Sequence, residues 1–85
     1  MDIAVEISLY PLDEEYIPVI LDFIARLNTH SGLTVITNHL STQVFGAHDR
    51  IFEALRQEMG ASFAGGGKAV FVTKFIGPYT LLPDA

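Results

Sequence analysis

A carboxylate, a hydroxyl and a phenol share one side of the first apolar segment of the sequence. Glu6, Ser8 and Tyr10 alternate with Ile7 and Leu9, so in a β-strand the three would project from the same face. A carboxylate binds a cation or an amino group, a hydroxyl donates and accepts hydrogen bonds, and an aromatic ring stacks on a flat ligand. The three residues either form a platform for a ligand or belong to a solvated sheet face.

A second polar group runs from residue 38 to residue 43 as Asn-His-Leu-Ser-Thr-Gln. Turn formation accounts for an asparagine at position 38, but it does not account for Ser41, Thr42 and Gln43 at the start of the strand that follows. Strand alternation directs Ser41 and Gln43 to one face of a sheet and Thr42 to the other. Side chains on either face could contact a ligand.

The sequence offers little support for a metal site or for a catalytic motif. The histidines His30, His39 and His48 are far apart in the sequence and form no close pair, so we expect no zinc site. The chain contains no cysteine, which excludes thiolate ligands and cysteine nucleophiles. It also lacks a nucleophile elbow, a Ser-His-Asp order and a paired-carboxylate motif. We therefore expect a protein that is not an enzyme and holds no cofactor.

The charge balance and the hydropathy profile exclude several partners. Five Lys and Arg residues stand against ten Asp and Glu, which gives a net charge of -5 and a pI near 4.8. Such a chain repels a phosphate backbone, so we expect no nucleic-acid partner. No apolar run approaches the roughly 20 residues of a membrane span, and residues 2–10 lack the basic start of a signal peptide. With no cysteine present, we expect a cytoplasmic protein without membrane insertion.

The chain is rich in apolar residues for its size. Hydrophobic residues make up 49% of its 85 residues, and its mean hydropathy is +0.35. A chain this short hides about 60–65% of its unfolded surface when it folds, so its apolar residues exceed what one core accommodates. An interface between copies is the simplest place for the excess, and we expect a homodimer or a homotetramer.

Four strand-like segments and two helical segments alternate along the sequence, separated by proline and glycine. The predicted elements are a strand from Ile3 to Tyr10 ended by Pro11, a helix from near Glu15 that Gly32 terminates, a strand from Leu33 to Thr37, a tight turn at Asn38-His39, a strand from Ser41 to Phe45, a helix after Gly46 that is closed by Gly60 and residues 65–67, and a strand from Lys68 to Ile76. The alternation leaves the two faces of the last strand undecided, because both are apolar. Residues 79–85 are predicted to form a loose tail.

This order of elements, βαββαβ, predicts an α+β fold. In the ferredoxin-like arrangement, four antiparallel strands form a sheet and both helices pack on one face of it. We expect a single domain over residues 1–85, with Glu6, Ser8 and Tyr10 on the face that carries no helix. A bare and partly apolar sheet face is usually covered by another copy or used to bind a ligand.

Two motifs carry a resemblance to a known family. Residues 7–12, Ile-Ser-Leu-Tyr-Pro-Leu, and residues 37–42, Thr-Asn-His-Leu-Ser-Thr, stand at the expected separation, and the second leads through Gly46 to residues 49–54. In these motifs the sequence resembles the YkoF-like thiamine/hydroxymethylpyrimidine-binding family, from about Ile3 to Gly77. The resemblance implies the same ferredoxin-like fold and non-catalytic binding of thiamine or its pyrimidine half, linked to thiamine uptake or salvage. It also implies self-association, because this chain has a single repeat.

The resemblance also implies which residues contact the ligand. The positions that match the family are Ser8, Tyr10, Asn38, His39, Ser41 and Thr42. Phe45 departs from the family pattern, since an arginine is expected there, and this leaves open any contact to a phosphate or hydroxyl tail. Thiamine carries a cationic thiazolium and a flat aminopyrimidine, so Glu6 is expected to face the positive charge or the amino group, with Tyr10 and Phe45 as aromatic contacts.

Two other functions share this strand order. One is a cofactor-free enzyme built as a dimeric α+β barrel, which His39 would favour if its side chain pointed into a closed apolar cavity. The other is an amino-acid-sensing or purely structural interaction module. Such a module would not respond to thiamine, but its oligomer size would change with an amino acid or a partner protein.

Overall fold

The computed structural model describes residues 1–81, which form four strands and two helices in the predicted order. The elements are β1 (Asp2–Pro11), α1 (Tyr16–Leu27), β2 (Thr34–Thr37), β3 (Thr42–Ala47), α2 (His48–Ala64) and β4 (Ala69–Ile76). The predicted order βαββαβ is therefore confirmed. Residues 82–85, the end of the predicted tail, lie outside the described part of the chain.

The strands form one antiparallel sheet in the order β2-β3-β1-β4. The two central strands are β1 and β3, in register through Val5 opposite Val44 and Ile7 opposite Thr42. The period of two in the sequence of β1 directs Ile3, Val5 and Ile7 toward the helices, where all three are buried. Because both helices pack on this one face, the fold is the predicted ferredoxin-like sandwich.

The core lies between the sheet and the two helices. Its most deeply buried side chains come from both layers: Phe23 and Leu27 of α1, Ile51 of α2, Val5 of β1 and Val44 of β3. Helical spacing places Phe23 and Leu27 one turn apart on the face of α1 that meets the sheet. The core therefore fixes α1 against β1, and this contact later forms one wall of the candidate site.

The structure decides the orientation of β4. Phe71 stands opposite Leu9 in register, and its ring centroid lies 5.1 Å from that of Phe23 in the core. Phe71, Thr73 and Phe75 therefore lie on the helix side, while Val70, Val72, Lys74 and Ile76 lie on the other side. This second side, which we call the open face, carries no helix.

A buried carboxylate joins the two helices. Glu58 of α2 is 6% exposed and accepts a hydrogen bond from Arg26 Nε at 3.0 Å, while its other oxygen lies 2.6 Å from His30 Nε2. Arg26 also donates to the Glu58 carbonyl at 3.1 Å and to Ser62 Oγ at 2.6 Å. The charged cluster thus ties the end of α1 to the middle of α2.

The predicted helix ends need two corrections. Helix α1 ends at Leu27, so Gly32 lies in the connection to β2 and does not terminate the helix, although its φ of +81° is the left-handed value that favours glycine. Helix α2 continues through Gly60 to Ala64, because a single glycine costs a helix only about 1 kcal/mol and the core contacts offset it.

Within residues 1–81, neither helix is long and apolar enough to span a membrane.

Candidate functional site

The end of β1 and the β2–β3 hairpin enclose a cleft. The last residue of β1 that pairs with β3 is Ile7, so the segment from Ser8 to Tyr10 pairs only with β4 and leaves its other edge free. The hairpin connection lies beside this free edge, and α1 closes the back. The cleft, called here the hairpin cleft, has a volume of about 170 Å³. It is lined by residues 7–10, by Ile20, Phe23 and Ile24, and by residues 37–42.

Asn38 shapes the hairpin connection. Its side-chain Oδ1 accepts hydrogen bonds from the backbone N–H groups of Leu40 at 2.9 Å and Ser41 at 3.0 Å. Its own backbone N–H donates to the Ser41 carbonyl at 3.0 Å. The predicted two-residue turn is therefore a four-residue connection from Asn38 to Ser41, and β3 begins at Thr42. The physical reason is that the asparagine side chain satisfies N–H groups that a strand would otherwise pair.

The polar side chains of the hairpin cleft differ in whether they already form hydrogen bonds within the protein. Ser8 is half-buried and His39 is exposed, and within residues 1–81 no hydrogen bond from either side chain to the protein is found. Thr42 is buried, and its hydroxyl lies 3.2 Å from the hydroxyl of Thr37. Ser8 and His39 are thus available to a ligand, while Thr42 is engaged within the hairpin.

The remaining wall of the hairpin cleft is apolar. Ile20, Phe23 and Ile24 of α1 line the back, and Leu40 stands at the front with 89% of its surface exposed. A cleft of about 170 Å³ with apolar walls and hydrogen-bonding groups among its lining residues has room for one small heteroaromatic ring.

A second depression lies on the open face. Phe45 of β3 and Ile76 of β4 stand on either side of Ala4 in register, so a small side chain at the centre of the sheet is surrounded by larger ones. We call this depression the open-face hollow, and its volume is about 290 Å³. Its lining consists of Ala4, Val5, Glu6, Gln43, Phe45, Lys74, Phe75, Ile76 and Tyr79.

Tyr79 belongs to this hollow and corrects the predicted loose tail at that position. Its backbone N–H donates to the Asp2 carbonyl at 2.7 Å, and its ring centroid lies 5.8 Å from that of Phe45. The chain after β4 is therefore held at Tyr79 against the start of the central strand β1.

Ser41 connects the two depressions. It lines the hairpin cleft, and its hydroxyl donates to Glu6 Oε2 at 3.1 Å. The other oxygen of Glu6 lies 3.8 Å from Lys74 Nζ. The carboxylate in the open-face hollow is thus one hydrogen bond away from the hairpin cleft.

The eight residues selected from the sequence fall into these two places. Six of them line the hairpin cleft: Ser8, Tyr10, Asn38, His39, Ser41 and Thr42. Glu6 and Phe45 line the open-face hollow. Sequence reasoning missed the apolar wall from α1. Gln43, which the sequence placed with Ser41 on one face of the sheet, stands opposite Glu6 in register and lines the open-face hollow.

Two other expectations concern metals and catalysis. Within residues 1–81, no three His, Asp or Glu side chains are close enough together to hold a metal ion. His39 is exposed and lines an open cleft, so the closed apolar cavity that would favour a cofactor-free enzyme is not found around it.

Comparisons with known proteins place this geometry in context. The model of the YKOF-related family matches residues 2–65, a span that includes the whole hairpin cleft. A search of curated proteins gave no match.

Solved structures share the fold at low sequence identity. A protein from Streptococcus pneumoniae superposes with a TM-score of 0.85 at 21% identity, covering 99% of this chain and 94% of its own. A hypothetical protein from Methanocaldococcus jannascii gives a TM-score of 0.79 at 19% identity, with 95% and 84% covered. A Thermotoga maritima protein provisionally assigned to thiamine biosynthesis or salvage gives 0.78 at 17% identity, with 88% and 82% covered.

Proposed function

The chain belongs to the YKOF-related family, and on that premise we propose that it binds thiamine or hydroxymethylpyrimidine in the hairpin cleft and releases it unchanged. One observation carries this proposal. The six positions at which the sequence resembles thiamine-binding relatives come from two distant segments, yet all six line the same cleft. The provisional assignment of the Thermotoga maritima protein to thiamine biosynthesis or salvage supports a role of the same kind here.

The size of the hairpin cleft favours the pyrimidine half of thiamine. Drug-sized ligands occupy pockets of about 300–1,000 Å³, and the cleft offers about 170 Å³. The aminopyrimidine ring enters between the end of β1 and the hairpin connection, with one face against Ile20 and Ile24. Ser8 and His39 then hydrogen-bond to the edge of the ring, and the thiazolium lies outside the slot.

Glu6 is proposed to act on the cationic part of thiamine. Its carboxylate is linked to the cleft by the hydroxyl of Ser41, and Lys74 lies 3.8 Å from its other oxygen. A carboxylate at this distance from the slot attracts a thiazolium that extends toward the open face. The net charge of -5 adds a weaker attraction for a cation over the whole molecule.

A protein that binds thiamine or its pyrimidine half without converting it serves in the uptake or salvage of that ligand. The open cleft allows the ligand to enter and leave, as uptake or salvage of thiamine requires. We place this role in the cytoplasm, because a chain with no cysteine is unaffected by reducing conditions. No cofactor other than the ligand takes part.

Isothermal titration calorimetry with thiamine, hydroxymethylpyrimidine and thiamine phosphate tests the proposed function. Saturable binding of at least one of the three at micromolar or tighter affinity is expected. The ranking of the three ligands shows how Phe45, in place of the arginine expected from the family, affects binding of the phosphate. Absence of heat from all three ligands, with a folded protein in the cell, contradicts the proposal.

A pair of histidine variants locates the binding. His39→Ala is expected to weaken hydroxymethylpyrimidine binding about fivefold or more, because one hydrogen bond contributes roughly 1 kcal/mol. His48→Ala is the matched control, since His48 is also exposed but lies at the start of α2, away from the hairpin cleft. Equal affinities of the two variants exclude a role for His39.

A further inference from the structure

Leu40 is the most exposed large apolar side chain in residues 1–81. Its relative exposure is 89%, higher than the 79% of Met1 at the start of the chain. A single exposed leucine on a protein surface is ordinary, but Leu40 lines the hairpin cleft. Its side chain therefore stands in water beside a cleft whose back wall is apolar, and a ligand in that cleft offers it a surface to pack against.

The backbone of the hairpin connection fixes the position of Leu40 and leaves its side chain free. The Leu40 N–H donates to Asn38 Oδ1 at 2.9 Å, and the N–H of Ser41 donates to the same oxygen at 3.0 Å. The Asn38 N–H in turn donates to the Ser41 carbonyl at 3.0 Å. Exposed side chains rotate in picoseconds to nanoseconds, so the Leu40 side chain changes direction without breaking any of these backbone hydrogen bonds.

The proposed position of the pyrimidine leaves one face of its ring to be covered. One face packs against Ile20 and Ile24 of α1 at the back of the hairpin cleft. The opposite face is directed to the front of the cleft, where Leu40 stands. We propose that Leu40 is a further binding residue, which folds over this second face when the ligand is bound. The inference rests on the proposed function and adds to it the residue that closes the site.

A leucine suits the face of an aminopyrimidine ring. The ring donates and accepts hydrogen bonds at its edge, which is the part assigned to Ser8 and His39, and its faces make van der Waals contacts. Packing Leu40 against one face removes apolar surface of both partners from water, and this favours binding. In the free protein the Leu40 side chain is in water and the cleft is open, so the ligand enters before the side chain closes.

Closure after entry predicts that Leu40 acts mainly on the release of the ligand. A group that covers a bound ligand slows its dissociation more than it changes its association. Leu40→Ala is expected to weaken hydroxymethylpyrimidine binding about tenfold, as follows if the ligand covers about half of the leucine side chain. Leu40→Met keeps an apolar side chain of similar volume and is expected to bind within about threefold of the wild type.

Leu12 provides a matched control. It is also an exposed leucine, at 64%, and it lies in the connection that follows β1. It does not line the hairpin cleft, so Leu12→Ala is expected to leave hydroxymethylpyrimidine affinity within about twofold of the wild type. Because neither leucine belongs to the core, both alanine variants are expected to fold, which circular dichroism verifies.

Calorimetry and methyl NMR with hydroxymethylpyrimidine test the inference on the wild type, Leu40→Ala, Leu40→Met and Leu12→Ala. Calorimetry gives the affinities, and the line shapes of ¹³C-labelled methyl signals give the dissociation rates. In the saturated wild type, nuclear Overhauser effects from ligand protons are expected at the methyl groups of Leu40 as well as at those of Ile20 and Ile24. These contacts distinguish a side chain that covers the ligand from one that only stabilises the hairpin connection.

The outcomes separate this inference from the proposed function. Ligand contacts to Ile20 and Ile24 without any to Leu40 overturn the inference and leave the proposed function standing. An affinity of Leu40→Ala within about twofold of that of Leu12→Ala does the same, as does a loss in Leu40→Met equal to the loss in Leu40→Ala. Absence of saturable binding to the wild type overturns both.

Discussion

The Ser41 side chain lies between the hairpin cleft and the open face of the sheet. It lines the hairpin cleft, and its hydroxyl donates to Glu6 on the open face at 3.1 Å. Strand alternation directs position 41 to the open face, but Ser41 is the last residue of the hairpin connection, which also lines the hairpin cleft. The carboxylate of Glu6 is therefore hydrogen-bonded to a residue of the cleft, and under the proposed function its charge acts on the thiazolium of bound thiamine.

Glu6→Gln tests this electrostatic role. We expect thiamine affinity to fall more than twofold while hydroxymethylpyrimidine affinity stays within twofold, because only thiamine carries the thiazolium charge. Glu14→Gln, in the exposed turn before α1, makes the same change in net charge far from the ligand and serves as the control. Thiamine binding to Glu6→Gln within twofold of the wild type would exclude the role, as measured by calorimetry at fixed ionic strength.

At the scale of elements, the hairpin connection is the part that defines the cleft. Asn38 holds it through two hydrogen bonds to backbone N–H groups, while Leu40 is almost fully exposed. A backbone hydrogen bond from the Asn38 N–H to the Ser41 carbonyl also closes the connection, and the Asn38 side chain adds the bonds at Leu40 and Ser41. The proposed ligand site therefore depends in part on one asparagine.

Asn38→Ala is expected to loosen the connection. The backbone amides of Leu40 and Ser41 lose their acceptor, so their hydrogen exchange should accelerate, and hydroxymethylpyrimidine affinity should fall by about fivefold or more. Asn28→Ala provides the comparison, since Asn28 is an exposed asparagine whose side-chain amide donates to the Ile24 carbonyl in the last turns of α1, away from the hairpin connection. Unchanged exchange at both amides in Asn38→Ala would show that the loop is held by other contacts.

The buried carboxylate between the helices gives a stability prediction. Glu58→Gln removes the charge that pairs with Arg26 and His30, and we expect the free energy of unfolding to fall by about 2–4 kcal/mol. Glu53→Gln on the same helix is the control. Its side chain is exposed, and the hydrogen bond from Arg56 lowers its pKa, so little change in stability is expected from its loss. Urea denaturation compares the two; equal midpoints would mean that Glu58 contributes no more than a surface pair.

The sequence predicted those features that depend on local periodicity. The alternation in β1 predicted that Ile3, Val5 and Ile7 are buried, and the apolar periodicity with its proline and glycine interruptions predicted the element order. The four-residue hairpin connection was not predictable, because it depends on where the Asn38 side chain bonds. Glu58 was missed, since its partners Arg26 and His30 are distant in sequence. The division of the site residues between the hairpin cleft and the open-face hollow required the register of the strands.

At the scale of the whole molecule, the core is small, so binding of a ligand is expected to raise the free energy of unfolding by a noticeable fraction. A ligand present at 100 times its dissociation constant adds about 2.7 kcal/mol of stability, which in a domain of this size corresponds to a Tm increase of about 10 °C or more. We expect this increase with hydroxymethylpyrimidine in a thermal unfolding experiment. A panel of amino acids should leave the Tm unchanged. An increase with an amino acid instead would favour the sensing module that shares this topology.

The most direct test of the central claim is an amide NMR titration of the ¹⁵N-labelled protein with hydroxymethylpyrimidine. The ligand contains only the half of thiamine that is proposed to enter the hairpin cleft. The largest shift changes are expected at residues 8–10 and 38–42, with small changes at Ala4, Phe45 and Ile76 on the open face. Largest changes at those three open-face residues, or no saturable change at any amide, would contradict the binding of a pyrimidine in the hairpin cleft.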